Sequence, residues 1–86
     1  MIASGFPKMQ RFYFDVYDSD GPETDTEGQL LETPERARRE ALRILHDIAH
    51  DEMPDVNLVT ITVKIRTDGD RQIFEASLTL TSDWSR

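Results

Sequence analysis

Two histidines one helical turn apart, His46 and His50 in the run His46-Asp47-Ile48-Ala49-His50, have the spacing that speaks most directly of chemistry. Side chains four apart on a helix lie one above the other, so two imidazoles placed this way can share a metal ion. Asp47 follows the first of them as the general-base glutamate does on a zinc-protease helix. A second set is acidic. Between Arg11 and Arg36 stand Asp15, Asp18, Asp20, Glu23, Asp25, Glu27, Glu32 and Glu35 with no base among them, a stretch more negative than the whole 86-residue chain at −7. Asp18, Asp20, Glu23, Asp25 and Glu27 are hard oxygen donors close in sequence, the ligand type that calcium takes. A third set is aromatic: Tyr13 and Tyr17, whose rings can stack nucleobases where an open sheet presents them.

What these sets can do depends on the elements that carry them. Phe12, Phe14 and Val16 alternate with Arg11, Tyr13, Asp15 and Tyr17, the period of a half-buried strand with the tyrosines on its outer face. The run from Asp18 to Glu23 breaks the alternation, with Gly21 and Pro22 as turn residues. Glu27 to Leu31 is expected to return as a brief strand pairing with the first. Thr33-Pro34 starts a helix, because the Thr hydroxyl can accept from an orphan amide and Pro at the first helical position loses no needed donor. Glu32 and Glu35 then sit at the positive end of the helix dipole. The helix is predicted to run to about Met53 and to stop at Pro54. Its apolar stripe is Ala37, Ala41, Ile44, Leu45 and Ile48, widened by Leu42 and Ala49. Glu35 with Arg39 and Arg43 with Asp47 are opposite charges at i,i+4.

The C-terminal third reads as a hairpin. Val59, Ile61, Val63 and Ile65 alternate with Thr60, Thr62, Lys64 and Arg66; Phe74, Ala76, Leu78 and Leu80 alternate with Glu75, Ser77 and Thr79. Asp68-Gly69 suits a two-residue primed turn, which pairs Val63 with Phe74, Ile61 with Ala76 and Val59 with Leu78. The predicted architecture is a two-layer α+β domain: one amphipathic helix packed on a small, mostly antiparallel sheet, in the order strand, short strand, helix, strand, strand. Residues 1–10 lack periodicity and hold Gly5 and Pro7, so a loose tail is expected there, with Met9 placed to serve as an alternative start. Residues 11–82 are expected to form the single domain and 83–86 a short C-terminal tail.

Placed on these elements, the three sets lose most of their chemistry. With Ala37 at zero and about 100° per residue, the apolar stripe centres near about 40°, His46 falls about 140° away and His50 further round. Both imidazoles are therefore expected in solvent with no third ligand specified, so a metal site on His46 and His50 is only an alternative reading. The acidic run fails the calcium-loop pattern, since Gly21 comes three residues after Asp18 and no Glu closes the loop. A solvated acidic turn is expected. The tyrosines share their face with Thr60, Thr62, Lys64, Arg66, Ser77 and Thr79, but the acidic loop beside them opposes a phosphate backbone.

Composition narrows the rest. No cysteine is present, which removes disulfides, zinc–thiolate sites and thiol catalysis together. No Gly-x-Ser-x-Gly elbow, phosphate-cradling loop or dinucleotide fingerprint appears, so neither an enzyme nor a cofactor is expected. A sequence pI near 4.6 disfavours nucleic acid and anionic membrane surfaces. There is neither a signal-peptide pattern nor a long apolar run, which points to a cytoplasmic protein.

The whole pattern resembles a family of small uncharacterised bacterial proteins, known as a domain of unknown function. The matching residues are Arg11-Phe12-Tyr13-Phe14-Asp15-Val16, the turn Asp18 to Gly21, the phrase Asp25-Thr26-Glu27-Gly28-Gln29-Leu30, Ala37 to Ala41, and the closing hairpin with its Asp-Gly turn. The resemblance spans roughly residues 9–82 and implies no activity and no catalytic residue. A more distant, fold-level likeness is to HicB-type antitoxins, which are acidic enough to neutralise a basic ribonuclease. The expectation that follows is a small acidic, non-enzymatic interaction or regulatory module, with an antitoxin-like neutraliser as the alternative. Its partner is another protein or a second copy of itself. Asp18, Asp20, Glu23, Asp25 and Glu27 form the candidate patch, and Tyr13 and Tyr17 the candidate sheet-face contact.

Overall fold

A computed structural model describes residues 8–53 and 57–85. The strands are β1 (Gln10–Asp18), β2 (Gly21–Glu23), β3 (Gln29–Leu31), β4 (Leu58–Thr67) and β5 (Arg71–Thr81), with the helix α1 (Pro34–Glu52) between β3 and β4. All strand pairs are antiparallel, in the order β2-β1-β4-β5, and β3 also pairs with β1. The expected α+β architecture is therefore present. Most of the expected N-terminal tail, and Pro54 as the helix stop, lie outside the described residues.

The helix starts where the capping chemistry puts it. Thr33 is extended at φ −145° and its hydroxyl accepts from the Arg36 N–H at 3.1 Å, while Pro34 opens the first turn. Ala37, Ala41, Leu45 and Ala49 are buried, with Ile44 and Ile48 packed partly against the same core. Three of the four buried helix residues are alanines, which lets the helix backbone approach the sheet closely. Opposite them lie Phe12 and Phe14 of β1 and Val59, Ile61, Val63 and Ile65 of β4, all nearly inaccessible. Leu42 departs from the expected stripe: it is 39% exposed, at the rim of the helix's apolar face.

Three local expectations are corrected. Gly21–Glu23 is not wholly turn but a three-residue edge strand, with Tyr17 opposite Pro22 and Asp18 opposite Gly21. Proline is tolerated there because an edge strand needs no donor on its outer side. The β4–β5 hairpin closes on three residues, Asp68-Gly69-Asp70, with Gly69 at φ +80° and Asp70 at φ +61°. Pairing is accordingly two residues displaced from the expected register: Val63 lies opposite Ala76, Ile61 opposite Leu78 and Val59 opposite Leu80. An irregularity after the Ile65–Phe74 pair brings Arg66 opposite Gln72 and leaves Ile73 as the extra residue of a bulge. A shift of two preserves faces, so the inner side stays apolar. Finally, Glu35 pairs with Arg38 at 3.2 Å, one residue short of the expected Arg39, whereas Arg43 meets Asp47 at 2.7 Å as expected.

Because the Thr33 side chain satisfies one of the orphan amides at the helix start, Thr33→Ala is expected to lower the unfolding free energy by about 1 kcal/mol. Thr33→Asp should retain most of it; urea titration followed by circular dichroism measures both.

Candidate functional site

The outer face of the sheet, away from the helix, is built from cross-strand pairs of β1 and β4. Tyr13 stands opposite Arg66 and Asp15 opposite Lys64. Diagonal neighbours on one face are within reach of long side chains, and both bases use that reach. Arg66 places its guanidinium 4.7 Å from the Tyr13 ring centroid and turns its nitrogens to Asp15: Nε donates to Oδ2 at 2.7 Å and Nη2 to Oδ1 at 3.2 Å. Lys64 lies over the Tyr17 ring at 4.9 Å. The resulting zigzag is Tyr13, Arg66, Asp15, Lys64, Tyr17. Asp15 is only 6% exposed, the one buried charged residue among those described. Towards β5 the face continues as hydroxyl pairs, Thr62 with Ser77 at 2.7 Å and Thr60 with Thr79 at 3.1 Å.

What covers Asp15 is the loop between β2 and β3. Both short strands pair with the same edge of β1, so the five residues between them must bridge a gap in the ladder at Phe14. The Asp25 carboxylate fills it. Its Oδ2 accepts from the Phe14 N–H at 3.0 Å, standing in for a strand carbonyl, while Oδ1 accepts from the N–H groups of Gly28 at 2.9 Å and Glu27 at 3.1 Å. The Asp25 backbone is held in turn: its N–H donates to Asp15 Oδ1 at 2.9 Å and its carbonyl accepts from Arg66 Nη2 at 2.7 Å. Arg11 adds a bond from Nη1 to the Glu27 carbonyl at 2.7 Å. Gly28 closes the loop at φ +72°, where an added Cβ would lie 2.9 Å from the Phe12 carbonyl oxygen. No larger residue fits that turn without moving β1.

These contacts set the charge states. Partial burial pushes the Asp25 carboxyl upward, but the amides of Gly28, Phe14 and Glu27 and the charge of Arg66 outweigh it and hold the group below its ordinary value of 3.8. The hydrogen bond to Asp15 raises Arg66 further above its already high ordinary value, against partial desolvation. On the helix, Glu40 is lowered by its bond to Arg43, against partial burial, with help from Gln29 of β3.

The candidate residues therefore part company. Asp25, placed in the acidic patch on sequence, is committed to folding the loop. Asp18 accepts from the Asp20 N–H at 2.9 Å, a local turn bond. Asp20, Glu23 and Glu27 are exposed, and among the described residues no carboxylate of Asp18, Asp20, Glu23 or Glu27 forms a salt bridge. The hollows beside them are shallow and open. Tyr13 and Tyr17 each have a cation of their own chain over the ring, and the Tyr13 hydroxyl donates to Asp68 Oδ1 at 3.3 Å. His46 and His50 are 79% and 80% exposed, with stacked rings 6.5 Å apart. Their Nδ1 atoms face Asp47 and Asp51, and no group of three or more metal-ligating side chains forms among the described residues. Arg66 and Gly28 were not singled out from sequence. The available signals were an arginine on the same strand face as Asp15, and an Asp-x-x-Gly spacing suited to a side-chain-capped turn.

A family model for a domain of unknown function, DUF6894, matches residues 11–79. The chain belongs to that family. No curated protein and no solved structure matches it, and the HicB likeness gains no support. In this DUF6894 protein, the Asp25-Thr26-Glu27-Gly28 phrase that carries much of the sequence resemblance is the loop clasped over Asp15 and Arg66. Among the described residues no helix is long and apolar enough to cross a membrane.

A group whose folded pKa is depressed adds stability above its unfolded pKa and loses it as the pH falls through the folded value. Asp25 and Glu40 both have this sign. The urea midpoint is expected to hold between neutral pH and about pH 5 and to fall below about pH 4. Asp25→Asn should start less stable and lose less on acidification. Gly28→Ala, forced into the left-handed region against the Phe12 carbonyl, should cost about 1–2 kcal/mol or more in the same assay.

Proposed function

We propose that this DUF6894 protein is a small, non-enzymatic interaction module that docks a basic protein partner on the edge formed by β2 and the loop after it. The observation that carries this reading is the division among the carboxylates. Asp15, Glu35, Glu40 and Asp47 meet arginines, and Asp25 is bound by amides. Asp18, Asp20, Glu23 and Glu27 crowd one edge, and among the described residues none of their carboxylates forms a salt bridge, the nearby Arg11 being spent on the Glu27 backbone carbonyl. Like charges held together on one exposed edge raise the local negative potential and steer a cationic surface towards it. A three-residue strand with Pro22 at its centre is a poor template for strand addition, so recognition at this edge is electrostatic and made by side chains. The reading without an enzyme is supported by the same residues: among those described, the titratable groups outside the fold's own pairs line only open surface hollows.

The variant Asp18→Asn, Asp20→Asn, Glu23→Gln, Glu27→Gln tests this in affinity capture. Proteins retained by the wild-type chain at low salt and released as salt rises are expected to be lost with the variant, whose circular dichroism stays unchanged. No salt-sensitive partner, or equal capture by both, would refute the reading.

A further inference from the structure

The two edges of the sheet are built differently. On one side β1 is covered by strands of three residues each, one holding Pro22, and by acidic side chains. On the other, β5 runs eleven residues from Arg71 to Thr81, and among the described residues no strand pairs beyond it. Natural sheets blunt such an edge with proline, lysine, inward charge or bulges. From Phe74 to Thr81 this strand has none of them, and Glu75 is its only charge. The bulge at Ile73 lies at the turn end, outside that stretch.

The inner face beside this edge is also unfinished. Leu78 is 41% exposed although it pairs with the fully buried Ile61. The helix packs chiefly over β4 and covers β5 only in part. Leu42 lies about 160° around the helix from Glu40. Because Glu40 is tied to Gln29 of β3, Leu42 is on the flank that looks towards β5. Leu42, Leu78 and the half-buried Phe74, Ala76 and Leu80 thus border one open seam.

We infer that a second copy of this chain closes that seam, through antiparallel pairing of β5 with its own counterpart about a two-fold axis at Ser77. The strand is self-complementary in that register. Phe74 meets Leu80 and Ala76 meets Leu78 on the inner face; on the outer face Glu75 meets Thr79 and Ser77 meets itself. No like charges oppose, and the sheet continues unbroken across the axis. Strands about 4.8 Å apart place the two β4 strands about 14 Å apart, so the helices flank a shared trough with the Leu42 side chains at its lips. The same register accounts for the one tryptophan. Trp84 is 93% exposed just past β5, where Ser82 still donates to the Asn57 carbonyl at 2.8 Å. Continued antiparallel, residue 84 falls opposite residue 70 of the other copy, beside Arg71, a cation for the indole. The acidic edges lie on the far sides of both copies, where their mutual repulsion is least.

Sedimentation of the full chain should give twice the 9.9 kDa of one copy, and Leu78→Lys, still folded by circular dichroism, should halve that mass. Since the chain has no cysteine, Ser77→Cys places one thiol at the axis, with facing Cβ atoms about 4.5–5.5 Å apart, and mild oxidation should link the dimer covalently. Glu75→Cys, about 13 Å from its counterpart along the strand, should not cross-link. The variant neutralised at the acidic edge should remain dimeric, so failure there and failure here are read separately. A chain that sediments as a monomer throughout, or Glu75→Cys linking as well as Ser77→Cys, would overturn the inference. So would a dimer that survives in folded Leu78→Lys; should that variant not fold, the cysteine pair still decides.

Discussion

Asp15 is a carboxylate buried on the side of a sheet that sequence pattern assigns to solvent, and the arrangement of the N-terminal half follows from keeping it satisfied. Arg66 answers its charge from the neighbouring strand, and the Asp25 amide takes one of its remaining lone pairs. A buried ion pair adds little net stability over an apolar pair of the same size, but losing one partner strands the other. Its value here is in specifying a path. With Asp15 and Arg66 fixed, the chain leaving β2 has one place where its amide and carbonyl at residue 25 both find partners. From there it can re-enter the edge of β1 as β3 and deliver Thr33 to the helix start.

Much of this was legible in the sequence and some of it was not. The helix showed at its capped start and on most of its buried face, because caps and the 3.6-residue period are local signals written within a few residues. The strand faces showed for the same reason. Register did not, because a hairpin's register is fixed by its turn, and Asp70 takes a positive φ that the Asp68-Gly69 pair alone does not announce. The Asp25 clasp joins residues 10 to 41 positions apart. Each contact is unremarkable as composition and becomes visible only when β4 is laid beside β1.

That clasp also changes what the acidic run means. Eight carboxylates without a base looked like one electrostatic feature, yet they serve three ends. Asp15 and Asp25 hold the loop, Glu32 and Glu35 flank the positive end of the helix dipole, and Asp18, Asp20, Glu23 and Glu27 are left to face outward. The domain thus has one edge guarded by short strands and charge, and another, β5, that is long and, among the described residues, pairs with no further strand. A partner attracted by charge and a partner added by strand pairing would meet opposite sides of the same sheet without competing.

The division of the carboxylates is tested most directly by neutralising them one at a time and measuring the unfolding free energy at neutral pH. Asp15→Asn and Asp25→Asn are expected to lose about 1 kcal/mol or more, since each leaves partners in the clasp unpaired or misdirected. Asp18→Asn, Asp20→Asn, Glu23→Gln and Glu27→Gln are expected to stay within about 0.5 kcal/mol of wild type, or to gain slightly as repulsion is relieved. Uniform losses across all six, or stability unaffected by Asp15→Asn and Asp25→Asn, would contradict the account.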